Sequence, residues 1–513
     1  PEDGILGKIL VQKQATVPVG AVVAILLKPG ENAVSVKAAP ANVPVVETTA
    51  AAAPAGKKKI VIIGGGVGGY PAAIRAARMG AEVVLIEKDA LGGTCLNWGC
   101  IPTKALLQSA GVVRTMKESA VFGVQCQGYS VDFGAVMSRK DKIVAQLTQG
   151  VGSLLKARKI KVIKGTASFA DPRTLVIGET GEKVQGDAIL IASGSQPGRI
   201  PIVGIDGPDV MDSNQVLAMK ALPASVVIIG GGVIGVEFAQ FLVALGTAVT
   251  IIEMLPGLVP GVDKEIAALL QKRIVAAGVK VVTGAAVQKI TPGKAQSTVT
   301  YTSGGKTETI AAAKVFLTVG RKPDFSLLNI EKAGVRQERG AIVVNEFMET
   351  NVPGIYAAGD VVGGIMLAHL ASAEGECAVK NILEHREAMN YKAVPACVYT
   401  SPEVASVGLT EEAAKEKYEI QIGRFPLRGN GKSLVLNETE GLVKVIADRK
   451  YGEVLGVHII GPHATDMIAE AVLGMTMEMT AEELAHAIHP HPTVSEAIME
   501  AAMAITGGAI HMP

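Results

Sequence analysis

One pattern of 30 residues occurs twice in the chain. Residues 59–88, "KIVIIGGGVGGYPAAIRAARMGAEVVLIEK", align without gaps to residues 225–254, 166 positions further along. Each copy reads as an apolar strand, a glycine-rich turn, a helix and a second apolar strand that ends in glutamate. This order is typical of a βαβ unit with parallel strands. The repeat therefore predicts an α/β fold with two domains built on the same plan.

The turn of each copy has the spacing G-x-G-x-x-G, and an acid follows the third glycine by 18 residues. The first glycine permits a tight turn, the second lets a pyrophosphate approach the backbone, and the third lets the helix pack closely on the strand. The acid can accept hydrogen bonds from ribose hydroxyls. The residues are Gly64, Gly66, Gly69 and Glu87 in the first copy and Gly230, Gly232, Gly235 and Glu253 in the second. Two matches in this context predict two dinucleotide sites.

Glu253 also indicates which nicotinamide dinucleotide is used. Its carboxylate would repel a 2′-phosphate, and the following residues, "EMLPG", contain no arginine to bind one. NAD is therefore favoured over NADP.

Charge and composition exclude several classes of protein. The 49 Lys and Arg residues balance 48 Asp and Glu residues, so no basic excess predicts binding to nucleic acid or to an anionic membrane. No apolar run of about 18 residues predicts a membrane span, and no signal peptide is visible. Five cysteines in 513 residues are too few for a disulfide scaffold. We expect a cytoplasmic protein.

Two of the five cysteines, Cys95 and Cys100, lie together in "GGTCLNWGCIPTKALL" (92–107). They could form a structural disulfide, half of a metal site, two buried thiols or a redox pair. A cytosolic chain disfavours the first, and no second Cys/His pair at ligand spacing supports the second, so no metal is expected. Residues five apart on a regular helix point away from each other, but Gly99 lets the backbone deviate. A redox pair is favoured, and Cys126, Cys377 and Cys397 are interpreted as buried thiols.

The cysteine segment resembles the active-site motif of the flavin disulfide reductases, and most of all that of the dihydrolipoamide dehydrogenases. The resemblance covers about residues 58–513. It includes "ILIASGSQP" (189–197), "VFLTVGRKPD" (315–324), "TNVPGIYAAGDV" (350–361) and "MLAHLASAEG" (366–375). One departure is Trp98, where the family more often has a smaller or a basic residue. It could alter access to the disulfide or pack against the domain, and packing is favoured.

This resemblance implies further site residues. Asp360 would bind the ribityl chain of FAD, and Lys104 and Glu237 would form a pair beside the flavin. The other expected FAD contacts, besides the first glycine copy and Glu87, are Lys88, Gly93, Thr94, Lys104, Ser193, Gly194, Met366, Leu367, Ala368 and His369. The expected NAD contacts, besides the second copy and Glu253, are Val319 and Gly320.

A histidine motif, "HPHPTVSEAIMEA" (489–501), stands near the end of the chain. A dithiol attacks a disulfide as a thiolate, and histidine is the natural base near neutral pH. In the family's H-P-T-x-S-E pattern, His491 is that base and Glu496 holds its other ring nitrogen. His486 and His489 lack this spacing and are interpreted as structural or solvent-exposed. The resemblance implies that His491 reaches the cysteines of a second subunit, so a homodimer is expected.

The fold class implied is α/β, with two Rossmann-type dinucleotide-binding domains and an α+β dimerisation domain, preceded by a partial, β-rich lipoyl-like segment. The reaction implied is oxidation of dihydrolipoamide through a Cys95–Cys100 disulfide and FAD, with reduction of NAD⁺ to NADH.

The alternative functions are those of glutathione-type reductases, which use NADPH; of mercuric reductases, whose C-terminal cysteine pair is missing here; and of a scaffold subunit that acts mainly through its N-terminal arm. The predicted divisions are a lipoyl-like segment at 1–34, an Ala/Pro-rich linker at 35–57, FAD-binding parts at 58–203 and 326–390, an NAD-binding domain at 204–325 and a dimerisation domain at 391–513.

Residues 1–34 resemble the later strands of a lipoyl-type domain. No hairpin suited to a lipoylated lysine occurs in them, so Lys8, Lys13 and Lys28 are poor candidates. The chain begins at Pro1, and we expect an upstream segment that carries the missing strands and that lysine. The partners expected are the lipoyl domains of a 2-oxo acid or acetoin dehydrogenase complex.

Overall fold

The computed structural model describes residues 57–384 and 386–512, and the backbone of two short strands before them. The chain divides into two compact units, Pro1–Gly56 and Lys57–Pro513. In the first unit, β1 (Ile5–Ile9) pairs antiparallel with β2 (Ala24–Leu27). The rest of the predicted lipoyl-like segment and nearly all of the predicted linker lie outside the described residues.

The second unit begins with the first glycine copy, which forms a parallel sheet as predicted. Its elements are β3 (Lys59–Ile63), α1 (Gly69–Arg78), β4 (Glu82–Glu87), α2 (Gly93–Trp98), α3 (Cys100–Glu118), α4 (Phe133–Ala157), β5 (Lys161–Lys164), β6 (Ala167–Asp171), β7 (Thr174–Ile177), β8 (Lys183–Gln185), β9 (Ala188–Ile191) and β10 (Ser195–Pro197). β3, β4, β5 and β9 form four of the five strands of a parallel sheet. Because helices cover both faces of such a sheet, β3 is apolar along almost its whole length and is buried. β6, β7 and β8 form a small antiparallel sheet.

The second glycine copy repeats this plan. Its elements are β11 (Val210–Asp212), α5 (Ser213–Val216), β12 (Ser225–Ile229), α6 (Val233–Ala244), β13 (Ala248–Ile252), α7 (Lys264–Ala276), β14 (Lys280–Val282), β15 (Ala285–Thr291), β16 (Ser297–Ser303), β17 (Lys306–Ala312), β18 (Lys314–Leu317) and β19 (Arg321–Pro323). The parallel sheet has the order β11-β18-β12-β13-β14, and β15, β16 and β17 form its antiparallel companion.

The two crossings between these domains pair with each other. β10 leaves the first domain and β19 returns from the second, and they run antiparallel with Gln196 opposite Lys322. The amide of Asp324 donates to the carbonyl of Gly194, which extends the contact beyond the two strands. The exit from the first domain and the re-entry into it therefore lie side by side.

After β19 the chain adds the last strand of the first domain and then forms a separate domain with an antiparallel sheet. The elements are β20 (Gln337–Glu338), β21 (Ala341–Ile342), β22 (Ile355–Ala357), α8 (Ala368–Leu383), β23 (Ala396–Val398), β24 (Glu403–Gly408), α9 (Glu411–Lys415), β25 (Ile420–Pro426), α10 (Gly431–Leu436), β26 (Leu442–Asp448), β27 (Val454–Gly461), α11 (Ala464–Thr476), α12 (Ala481–His486) and α13 (Glu496–Thr506). β22 joins the first sheet beside β9, giving the order β22-β9-β3-β4-β5. The last domain is a sheet of order β23-β24-β27-β26-β25 with α11 and α13 packed on it. The predicted fold class is confirmed for the second unit.

Among the described residues, none of the helices combines the length and the apolarity that a membrane crossing requires.

Candidate active site

The first glycine turn has the close contacts that its spacing predicts. Gly64 has φ +104°, a conformation that favours glycine. A Cβ at Gly69, where α1 begins, would lie 1.8 Å from the carbonyl oxygen of Gly64. Gly66 pairs with Gly92, and a Cβ at Gly93 would lie 2.6 Å from the Cα of Gly66. The dinucleotide turn therefore lies directly against the start of the cysteine-bearing α2.

The second turn has the same backbone but a more open surface. Gly230 has φ +106°, and a Cβ at Gly235 would lie 2.1 Å from the carbonyl oxygen of Gly230. A Cβ at Gly232, just before α6, would meet no atom within 4 Å. The surface at the N-terminus of α6 is therefore open at Gly232, as the glycine spacing predicts for a turn that a phosphate approaches. Gly320, an expected contact of NAD, has φ +93° and lies in the turn between β18 and β19.

Glu87 and Glu253 make equivalent hydrogen bonds in the two copies. The carboxylate of Glu87 accepts from the backbone N–H groups of Gly65 and Asp89, both at 2.6 Å. The carboxylate of Glu253 accepts from the equivalent groups of Gly231, at 2.5 Å, and Leu255, at 2.7 Å. Each carboxylate is buried at the end of its strand and braces the glycine turn. Because two oxygens offer about four acceptor sites, each retains capacity for ribose hydroxyls.

The cysteine pair is brought together by a break between two helices. Gly99 has φ −143° and ψ −111°, so α2 ends at Trp98 and α3 begins at Cys100. Cys95 and Cys100 both have free thiols in the structure. The interaction between the two thiols, helped by the charge of Lys104, lowers the pKa of Cys100 to about 7, whereas the same interaction and burial raise the pKa of Cys95. The structure therefore favours Cys100 as the thiolate of the pair.

Lys104 lies one helical turn after Cys100 and has two partners. Its Nζ is 2.9 Å and 3.0 Å from the two carboxylate oxygens of Glu237, which lies on α6 and is buried. Nζ also lies 4.4 Å from the centre of the Tyr399 ring, and the Tyr399 amide donates to Glu237 at 2.9 Å. The predicted pair therefore joins the cysteine helix to both following domains. Tyr399, which lies between β23 and β24, was not predicted.

Asp360 belongs to a network at the crossing strands. Its carboxylate accepts from the hydroxyl of Ser195. The Arg321 guanidinium donates to the hydroxyl and the carbonyl of Ser195, both at 2.7 Å, and to the hydroxyl of Thr94 at 3.2 Å. Burial lowers the pKa of Arg321, and the Asp360 charge opposes that effect. Of these residues the sequence predicted Asp360 and Thr94 but missed Ser195 and Arg321, which lie in the two family segments at the crossings.

A cavity lies beside the first sheet where the adenosine part of a dinucleotide would be expected. It is lined by Gly64, Glu87, Lys88, Ser193 and Asp324, among others. Lys88 forms an ion pair with Asp324 at 3.0 Å, and the Ser193 hydroxyl donates to the Asp324 carbonyl at 2.6 Å. Lys88 and Ser193, which line this cavity, are expected FAD contacts. Asp324, which also lines it, was not predicted.

The segment "MLAH" lies at the start of α8, which begins at Ala368 with Leu367 as its N-cap. Met366 precedes it, and His369 Nε2 lies 2.8 Å from the carbonyl of Pro395. Later in α8, the buried Glu374 accepts from the amide of Gly359 at 2.7 Å and so anchors the turn that carries Asp360.

The predicted base and its partner are in contact. His491 Nδ1 lies 2.9 Å from Glu496, whose second oxygen accepts from the Thr493 amide at 2.8 Å. The His491 side chain is 78% exposed. Within residues 57–384 and 386–512, no hydrogen bond joins Nε2 to a partner or His491 to either cysteine.

Three further sequence interpretations can be compared with the structure. Cys377 is buried and Cys397 half-buried, but Cys126 is exposed, so the buried-thiol interpretation was wrong for Cys126. Its segment, residues 121–130, is exposed throughout because it joins α3 to α4 without covering a core. Trp98 is half-buried at the end of α2. Among the described residues no cluster of three metal-ligating side chains is present.

Comparison with known proteins agrees with this arrangement. Residues 58–375 match the model of the pyridine nucleotide-disulphide oxidoreductases, and residues 394–502 match the dimerisation domain of that family. The chain is 44% identical to a dihydrolipoyl dehydrogenase of Bacillus subtilis over 448 residues, 86% of this chain and 97% of the relative. It is 41% identical to the enzyme of the same name from Geobacillus stearothermophilus, over 87% of this chain and 95% of the relative. Its fold is similar to that of the HOCl-induced flavoprotein disulfide reductase RclA of Escherichia coli, with a TM-score of 0.79, 31% identity and coverage of 87% and 100% of the two chains. The chain therefore belongs to the pyridine nucleotide-disulphide oxidoreductase family.

Proposed function

We propose that this protein oxidises protein-bound dihydrolipoyl groups and passes the electrons to NAD⁺. The observation that carries the proposal is the position of the dithiol helix against the first dinucleotide turn, in a chain with a second such turn. Proteins of this family use FAD and NAD, and the relatives named as dihydrolipoyl dehydrogenases support the substrate.

The site residues divide between the two cofactors. The first copy fits FAD because the cysteine-bearing helix α2 begins against its glycine turn, and because Asp360 and the Lys88 cavity lie beside it. Bound FAD would supply a two-electron acceptor between the dithiol and NAD⁺. We assign it to Gly64, Gly66, Gly69, Glu87, Lys88, Gly93, Thr94, Lys104, Ser193, Gly194, Asp360, Met366, Leu367, Ala368 and His369, with Ser195 and Arg321 added from the structure. NAD⁺ is assigned to Gly230, Gly232, Gly235, Glu253, Val319 and Gly320.

The thiol chemistry follows from the difference between the two cysteines. In the oxidised enzyme a substrate thiolate attacks Cys95 Sγ, the Cys95–Cys100 bond breaks, and Cys100 leaves as a thiolate. The second substrate thiolate then attacks the mixed disulfide, which releases the lipoyl disulfide and leaves Cys95 reduced. The lowered pKa of Cys100 suits it as the leaving group, and Lys104 stabilises the charge that it gains.

His491 is the base in this proposal. Glu496 holds Nδ1, which leaves Nε2 to take the proton from the substrate thiol. The large exposure of His491 supports a role toward another chain, and the matched dimerisation domain supports a homodimer. We therefore assign His491 to the cysteine pair of the second subunit.

The partners proposed are the lipoyl domains of a 2-oxo acid or acetoin dehydrogenase complex. The lipoyl-like segment at 1–34 supports a chain that also contributes a carrier arm, with β1 and β2 as two of its strands. The other proposed divisions are FAD-binding parts at 58–203 and 326–390, an NAD-binding domain at 204–325 and a dimerisation domain at 391–513, with the linker at 35–57.

The direct test is NADH formation from NAD⁺ with dihydrolipoamide or reduced glutathione as donor, on the flavin-loaded protein. We expect turnover with dihydrolipoamide and none above background with glutathione. The same comparison is repeated with NADP⁺ in place of NAD⁺. Turnover with glutathione alone would make the protein a glutathione-type reductase instead.

A further inference from the structure

A second histidine–glutamate pair lies two residues before His491. His489 Nε2 is 2.7 Å from the carboxylate of Glu470 on α11. His489 Nδ1 is 2.8 Å from the carbonyl oxygen of Ala487. Only 4% of the His489 side chain is exposed, compared with 78% for His491. The proposed base is open to solvent, whereas the histidine beside it is enclosed.

Both neighbours of the His489 ring are hydrogen-bond acceptors. A backbone carbonyl can only accept, and a glutamate carboxylate, ionised near neutral pH, can also only accept. A neutral imidazole carries a single N–H group, so it would turn a lone pair toward one of these oxygens. Only the imidazolium, with two N–H groups, satisfies both contacts.

The surrounding charges agree with this protonation state. The hydrogen bond to Glu470 raises the pKa of His489, and burial opposes this with a smaller effect. Glu496, at the start of α13, adds a second negative charge nearby. The charged groups that act on His489 are therefore Glu470 from α11 and Glu496 from α13.

We propose that His489 is a protonated positioning residue: its Nε2–H fastens the loop of residues 487–493 to Glu470 on α11, its Nδ1–H braces the loop internally at the Ala487 carbonyl, and together they hold His491 in place. The kinetic part of this inference rests on the proposed function. The contacts that tie the segment around His491 to its surroundings include His489 to Glu470, Asn430 Nδ2, which donates to the Thr493 carbonyl at 2.9 Å, and the Thr493 amide, which donates to Glu496. Among the residues that the structure describes, the His491 ring is hydrogen-bonded at Nδ1 alone, so its orientation depends on these contacts.

The protonation state can be measured without any activity. Nitrogen-15 NMR of the flavin-loaded protein, labelled only at histidine, distinguishes imidazolium from neutral imidazole near neutral pH. The His489 signal is identified by its shift in Glu470→Gln and its loss in His489→Gln. We expect both ring nitrogens of His489 to be protonated. A His489 spectrum with one unprotonated nitrogen near neutral pH would overturn the inference.

Kinetics test the positioning role. In His489→Gln we expect kcat for dihydrolipoamide to fall about tenfold, since small misplacements of a catalytic group have effects of this order or larger. KM should change little, and reduction of the flavin by NADH should not change, because that half-reaction needs no thiol base. Glu470→Gln, which keeps the side-chain shape but lets an amide donate to the ring, should show a smaller fall in the same direction.

His486→Gln is the matched control, because His486 is exposed and its one hydrogen bond among the described residues is to the carbonyl of Glu482 on its own helix. It should leave all rates unchanged. Full dihydrolipoamide turnover in both Glu470→Gln and His489→Gln would refute the positioning role. If the wild-type protein does not oxidise dihydrolipoamide, the proposed function fails, but the protonation result still stands or falls by the NMR measurement.

Discussion

The two glycine copies have almost the same local structure but different surroundings. In both, the first glycine has a positive φ, the third glycine packs against the carbonyl of the first, and a buried glutamate braces the turn. Beyond the first turn the chain folds back as Gly92 and Gly93 and leads into the cysteine helix. Beyond the second, no atom lies within 4 Å of a Cβ placed at Gly232, and the side chain of Met254 is exposed.

This difference shows what the shared fold does and does not specify. A βαβ unit with these glycines presents a helix N-terminus to a pyrophosphate, which suits any dinucleotide. The first copy is enclosed by the dithiol helix, the crossing strands and Asp360, which suits a cofactor that stays bound. The second copy is open, which suits a substrate that enters and leaves. Four sets of substitutions test this comparison, in order of decreasing expected effect.

The largest effect should come from adding a methyl group to the third glycine of each copy, in two separate variants. Gly69→Ala places a methyl group against the Gly64 carbonyl, so we expect loss of flavin absorbance and of all turnover. Gly235→Ala places one against the Gly230 carbonyl, so the flavin should stay bound while NADH no longer reduces it. Absorbance spectra and NADH titration of both purified variants check this. Equal flavin loss in the two variants would mean that the turns are not divided between the two cofactors.

Removal of either thiol should be nearly as severe for the dithiol reaction alone. Cys95→Ser and Cys100→Ser should each lower lipoamide turnover by at least about a thousandfold, because members of one catalytic unit are not additive. The flavin should remain, since the glycine turn and Asp360 are unaffected. Cys126→Ser, at an exposed cysteine of the same domain, is the control and should be fully active. Flavin loss in both active-site variants would instead indicate a structural role for the pair.

His491→Gln should have an effect of about a hundredfold or more on dihydrolipoamide oxidation, the range of general base catalysis. Reduction of the flavin by NADH should continue at the wild-type rate, because this half-reaction uses the second glycine copy and needs no thiol base. Stopped-flow measurement of the two half-reactions separates these outcomes. A near wild-type rate with dihydrolipoamide would exclude His491 as the base.

The smallest effect should be on the choice of nicotinamide dinucleotide. Glu253→Gln combined with Met254→Arg removes the charge that repels a 2′-phosphate and adds a cation at an exposed position. The ratio of kcat/KM for NADPH to that for NADH should rise about tenfold, the worth of roughly one charge-assisted hydrogen bond. The same change at Glu87 and Lys88 should leave this ratio unaltered. An unchanged ratio in the Glu253 variant would show that the second copy does not bind the ribose.

The sequence by itself determined those features that depend on local backbone geometry. A positive φ at Gly64 and Gly230, the close approach at Gly69 and Gly235, and the helix break at Gly99 are requirements of single positions, which only glycine or a small set of residues meets. The spacing of His491 and Glu496 is local in the same sense, because one turn of chain brings them together.

Only the tertiary structure decided which distant side chains meet. Arg321 contacts Ser195 and Thr94 across 126 and 227 positions of the chain, and Tyr399 meets Glu237 across 162. The sequence left His489 as structural or solvent-exposed because nothing within its own motif shows that Glu470, 19 positions away, encloses it. Such contacts depend on how the crossing strands and helices pack, and packing is set by the buried surface of the whole domain rather than by any one segment.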